Sequence, residues 1–98
     1  MPPKVRHARR GACPEVSRFF GIVVAMFYRD HWPPHFHVRY GNAQAVVAIE
    51  SLSVLGGRLP ARALGLVMEW AVVHQEELRE DWELARRQAP LKKIAPLE

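Results

Sequence analysis

The segment Asp30-His31-Trp32-Pro33-Pro34-His35-Phe36-His37-Val38 gathers three of the chain's five histidines and an aspartate. His35 and His37 are separated by one residue, so on a strand both imidazoles project from one face while Phe36 and Val38 take the other. Asp30 and His31 fall just before that strand, in a turn whose backbone the two prolines restrict. Neutral imidazole accepts a proton and imidazolium gives one, both near neutral pH. With Arg39 next along the same face, the set offers a base, an acid and an anchor for a phosphodiester. The same residues offer metal chemistry. His31, His35 and His37 would supply three nitrogens to zinc or another divalent ion, with water in the open position. No cysteine adjoins them to close a structural site, and Asp30 is the one neighbouring acid. A third reading is structural, with the imidazoles satisfying backbone groups at the entrance to a strand. Metal-free acid–base work ranks ahead of metal in this reading.

One acid elsewhere belongs to the same argument. Glu69 is the lone charge in the apolar run Leu64 to Val73. An unpaired carboxylate in apolar surroundings is costly, so Glu69 is expected to meet a strand histidine or arginine. Behind an imidazole it would fix the tautomer and raise the basicity. The candidate catalytic set is therefore His31, His35, His37 and Glu69, with Arg39 and Asp30 as binding residues. Trp70 and Trp82 read as core or interface, and His7 and His74 lie outside the cluster.

These residues need a scaffold. Phe19 to Tyr28 is apolar on both alternating faces and reads as one central strand buried on both sides. Arg29 to Pro34 is a turn, and His35 to Tyr40 the next strand. Gly41-Asn42 forms a tight hairpin and Ala43 to Glu50 a third strand. Leu52 to Leu55 reads as a short fourth strand closed by Gly56-Gly57. Pro60 suits the first turn of a helix. Leu64, Val67, Met68, Ala71, Gln75, Leu78, Trp82 and Ala85 then keep one helical face. That makes one helix of about eight turns or two with a break near His74 and Gln75. Ala63 to Val73 is apolar nearly all round, so burial on more than one side is expected. Gln75 to Arg87 keeps only a narrow apolar seam. Leu91, Ile94 and Leu97 are expected to dock as an extended tail. The fold class is α+β: a small, mainly antiparallel sheet of three or four strands, covered on one face by the helical C-terminal half.

The chain has 98 residues, enough for one domain. Its charge of +4 invites a nucleic-acid partner, but from Glu15 onward ten basic residues balance ten acidic ones. The excess belongs to residues 1–13, a Pro- and Arg-containing stretch expected to be a disordered basic arm ahead of a domain over 14–98. No apolar run reaches the roughly 20 residues of a membrane span, and no apolar segment follows the basic N-terminus as in a secretory signal. The single Cys13 fits a reducing, cytoplasmic setting.

Five blocks carry a resemblance: Pro14 to Val23, Asp30 to Val38, Leu59-Pro60 leading to Glu69-Trp70-Ala71, Trp82 to Ala85, and Pro90 to Leu97. Together they resemble the DUF4160 family of small bacterial and archaeal proteins. The resemblance implies a domain of unknown biochemical function, often encoded beside a second small family, DUF2442. A small DUF2442-like partner protein and a two-gene, toxin–antitoxin-like module are what it implies for partners. It also implies a natural start near Pro14, with the basic arm as an extension. Combined with the histidine segment, the expected function is action on, or binding of, RNA through His31, His35, His37 and Arg39. The alternative is a non-enzymatic module that holds a protein through a sheet edge or the Gln75 to Arg87 face. Self-association is compatible with either.

Overall fold

The computed structural model describes residues 14–28 and 30–98. The expected basic arm, residues 1–13, and Arg29 of the expected turn lie outside the described residues. Five strands, β1 (Glu15–Phe19), β2 (Ile22–Ala25), β3 (His35–Tyr40), β4 (Ala43–Ala48) and β5 (Val54–Arg58), form one antiparallel sheet in the order β1-β2-β3-β4-β5. Two helices follow, α1 (Ala61–Val73) and α2 (Gln75–Arg86). The class is the expected α+β, with a sheet of five strands instead of three or four.

The extra strand, β1, lies ahead of the apolar run expected to be one long strand and shares only Phe19 with it, because that run turns at its start. Phe20 (φ +50°) and Gly21 (φ +81°) both adopt left-handed backbone angles, as a two-residue hairpin turn requires. The chain folds back there, pairing Phe19 with Ile22 and Arg18 with Val23. Glycine accepts the second angle without a Cβ clash. Phe20 is left on the surface, which its apolar neighbours in sequence do not foretell. A second correction concerns β5. It begins at Val54 and runs through Gly56 and Gly57 to Arg58, so the glycines lie inside the strand and do not close it.

The sheet buries one face. Ile22, Val24, Phe36, Val38 and Val47 meet Val67, Trp70 and Ala71 of α1 and Leu78 and Trp82 of α2 in one core. Full burial of such side chains is worth about 1.5–3 kcal/mol each. The helical half breaks at His74 (φ −109°, ψ +24°), whose N–H still bonds the carbonyls of Trp70 and Ala71. Gln75 Nε2 then donates to the Ile49 carbonyl at 2.6 Å, and Arg79 grips Glu50 at 2.7 and 3.0 Å, fixing α2 to the end of β4. The tail docks as expected: Ile94 is buried, its N–H bonds the Val16 carbonyl at 2.8 Å, and Trp70 Nε1 donates to the Ala95 carbonyl at 2.8 Å.

The expectation that α1 is buried on more than one side does not hold. Ala63, Val67, Trp70 and Ala71 are buried, but Val72 and Val73 are exposed. A single helical layer covers a single sheet face, and nothing among the described residues packs behind α1. The other sheet face carries the β3 histidines and is met from the helices at His35, by Trp82 of α2.

Candidate functional site

Alternation along β3 sends Phe36 and Val38 into the core and turns His35, His37 and Arg39 to the other face. The segment from Asp30 to Pro34 returns the chain to the start of β3, and this brings Asp30 over the same face. One carboxylate oxygen, Asp30 Oδ2, lies 2.8 Å from His35 Nε2 and 3.0 Å from His37 Nε2. The other, Oδ1, accepts the His31 backbone N–H at 2.9 Å and faces His31 Nδ1 at 3.1 Å. Asp30 is therefore the hub of the cluster. Burial pushes its carboxyl up, but the contacts with the His37 ring, the His31 backbone N–H and the His35 ring outweigh that and hold it below the ordinary range.

The three histidines differ in setting. The His35 side chain is 5% exposed, that of His37 26% and that of His31 88%. The Trp82 ring of α2, 5.2 Å from the His35 ring between centroids, closes off the inner imidazole. His35 Nδ1 lies 2.6 Å from the Pro33 carbonyl. A carbonyl only accepts, so Nδ1 carries a hydrogen. The His37 ring stacks on Phe27, centroids 4.0 Å apart and planes 8° from parallel. This face is thus open at His31 and His37 and closed at His35. A cleft of about 390 Å³ opens between these histidines and Val46, Leu55 and Gly56. Trp32, 68% exposed, stands at its edge.

Glu69 does not join them. It is exposed on α1, on the layer that covers the opposite sheet face, and makes no hydrogen bond or ion pair among the described residues. The apolar run around it is only half buried, so no burial cost demands a partner. The carboxylate expected behind the imidazoles is Asp30. Arg39 lies two residues beyond His37 on the same face, exposed and free of ion pairs among the described residues.

Two further residues were not singled out from the sequence. Register pairs Arg18 with Val23, Val23 with Arg39, Arg39 with Gln44 and Gln44 with Arg58. Arg18, Arg39 and Arg58 therefore share one cross-strand row, on alternate strands about 10 Å apart. The neighbouring row, about 7 Å along the strands, runs Ala25, His37, Val46, Gly56. Arg18 is tied to Glu15 at 2.8 Å, and Arg58, like Arg39, has no ion pair among the described residues. Two acids share this face, Glu15 beside Arg18 and Asp30 among the histidines, while Glu76, Glu77, Glu80, Asp81 and Glu83 are on α2. The surplus of acid therefore lies on α2, where five acids face Arg79 and Arg86, and the open face keeps Arg39 and Arg58 without an ion pair among the described residues. A second cleft, of about 370 Å³ beside Phe20, Tyr40 and Arg62, holds no such cluster.

No helix among the described residues is long and apolar enough to cross a membrane. No curated protein and no solved structure matches the chain. The family model described as "Domain of unknown function (DUF4160)" matches residues 21–83. That span takes in the Gly21 turn, Asp30 with its histidines, the Arg39 and Arg58 row and both helices as far as Glu83. β1 with Arg18 and the docked tail lie outside the matched segment, which covers most of the chain, and the chain belongs to the DUF4160 family.

Proposed function

We propose that the open sheet face binds single-stranded RNA and presents its phosphodiester to the Asp30-centred histidines, and that the chain is one component of a two-gene, toxin–antitoxin-like module with a small DUF2442-like partner. The observation that carries this reading is the row formed by Arg18, Arg39 and Arg58 beside the His37 row. Phosphate contacts from such cations supply most sequence-independent affinity. Exposed Trp32 at the edge of the cleft offers a surface on which an unstacked base can lie. His31, the most exposed imidazole, is the group best placed to exchange a proton with a bound backbone.

Binding of a labelled single-stranded RNA should weaken steeply with salt. Arg39→Ala and Arg58→Ala should each reduce the slope of log K against log salt by about one. Expression of the gene alone should arrest growth, with relief by the neighbouring gene, and His31→Ala together with His37→Ala should abolish the arrest. Salt-independent binding, or arrest untouched by the histidine changes, would remove the RNA reading. A protein-binding module would then remain, and the exposure of all five residues of edge strand β5 favours a partner pairing there.

A further inference from the structure

The ring nitrogens of His35 leave a deficit that only a cation fills. Nδ1 carries a hydrogen because its partner is the Pro33 carbonyl, 2.6 Å away. In neutral His35 the Nε2 position is then a bare lone pair, yet Asp30 Oδ2 lies 2.8 Å from it. Two lone pairs at that distance repel. Something positive belongs on this side of the ring, either one more proton or a metal ion.

We propose that Asp30, His35 and His37 form a three-ligand site for a divalent first-row transition ion of the zinc or ferrous class, open to the cleft beside His31. Their ligand atoms all lie within 4.8 Å of one another. The separations from Oδ2, 2.8 Å to His35 and 3.0 Å to His37, fit adjacent ligands on one ion, since bonds of about 2.0–2.2 Å at about 90–110° put neighbouring donors about 2.8–3.6 Å apart. Two imidazoles and one carboxylate, without thiolate, suit these borderline ions, and three protein ligands leave positions for water or substrate. The supporting contacts are of the kind metal-binding histidines have. His35 donates Nδ1–H to a backbone carbonyl, which aims Nε2 at the site. Phe27 stacked on His37 fixes the second ring. Both Asp30 Oδ1 contacts come from His31, so the carboxylate is held from outside while Oδ2 faces inward. The cleft of about 390 Å³ gives an ion and its waters a way in. This assignment goes beyond the RNA reading and stands without it. It also reverses the ranking that the sequence suggested, because that ranking had no view of the Pro33 contact.

The test uses the tag-free full chain stripped with chelator, and no RNA. Zn2+ is titrated by calorimetry and Co2+ by its visible absorption. One equivalent should bind. His37→Ala should weaken binding at least about tenfold, whereas His31→Ala and His74→Ala should keep the stoichiometry. Nitrogen-15 imidazole spectra of the wild type give a second readout that needs no variant to fold. On adding Zn2+, Nε2 of His35 and of His37 should both shift while His35 Nδ1 stays protonated. No saturable binding, shifts confined to His31 or His74, or a His37→Ala variant that binds as well as the wild type would overturn the site. The cluster would then be held by a shared proton alone.

Discussion

Asp30 and His35 meet at 2.8 Å in a site where the imidazole is 5% exposed and its other nitrogen is already committed to the Pro33 carbonyl. Removing the carboxylate therefore strands a buried polar nitrogen. In metal-free buffer, Asp30→Ala should cost about 1–3 kcal/mol of stability, the range for an abandoned buried partner. Asp30→Asn should cost less, because its amide can donate to the Nε2 lone pair of a neutral His35. Urea unfolding of the three proteins checks the order. Equal midpoints for wild type and Asp30→Ala would mean that the carboxylate does not hold the segment in place.

Glu69 offers the contrasting case. It is exposed and without a partner among the described residues, so Glu69→Gln should change stability by no more than about 0.5 kcal/mol. It should also leave RNA binding and growth arrest where they are in the wild type. A Glu69→Gln protein that folds and has lost activity would restore a role that the geometry denies it.

What could be read from the sequence follows from range. The histidine pair on one strand face, the Gly41 hairpin, the break near His74 and the docked tail each depend on patterns within a few residues. Their outcomes agree with local alternation and helical spacing. The turn at Phe20-Gly21 was hidden because a lone glycine in an apolar run carries no Asn or Asp to mark it, and Phe20 itself takes a left-handed angle. Asp30 was visible as a neighbour of the histidines, but its position over both rings depends on how the Trp32-Pro33-Pro34 segment bends. The arginine row was out of reach. Arg18, Arg39 and Arg58 are linked only by register through four strand pairings, and a shift of one residue in any of them would send a side chain to the other face. Glu69 misled because an apolar helix that covers a small sheet still leaves part of its girth in water, as Val72 and Val73 show.

Gly57 holds β5, and with it Arg58 and the Leu55 wall of the cleft, against β4. Its φ is +79°, and a Cβ there would lie 2.3 Å from the Gln44 carbonyl oxygen and 2.8 Å from Ala45 Cα. Both neighbours are backbone atoms of β4 and cannot turn aside. Gly57→Ala should therefore cost roughly 1–3 kcal/mol and loosen the β4–β5 pairing. Hydrogen exchange should show protection lost from Val54 to Arg58 while β2 and β3 keep theirs. RNA affinity should fall with it, although no RNA contact is assigned to Gly57 itself. Unchanged protection across β5 would show that the strand can re-register around the new methyl.

Asp81 gives a pH signature away from the histidines. It is fully buried on α2, with Oδ1 accepting the Lys92 backbone N–H at 2.9 Å and Oδ2 without a hydrogen-bond partner among the described residues. Burial pushes its carboxyl up, the Lys92 hydrogen bond pulls down, and Glu80 and Glu77 add to the rise, leaving it above the ordinary value. A carboxyl whose folded value is raised holds its proton more tightly when folded. Its contribution to stability is fully present below the unfolded value of about 3.9 and is lost as pH rises through the folded one. Asp81→Asn keeps an oxygen for the Lys92 N–H and has no charge to bury. The variant should match the wild type near pH 4 and gain on it as pH rises, ending at least as stable at pH 7. Paired urea midpoints between pH 4 and 8 give the comparison. A gap that stays flat would mean that folding leaves the Asp81 carboxyl unshifted, and one that widens in favour of the wild type with rising pH would mean that its contact with the Lys92 backbone outweighs its burial.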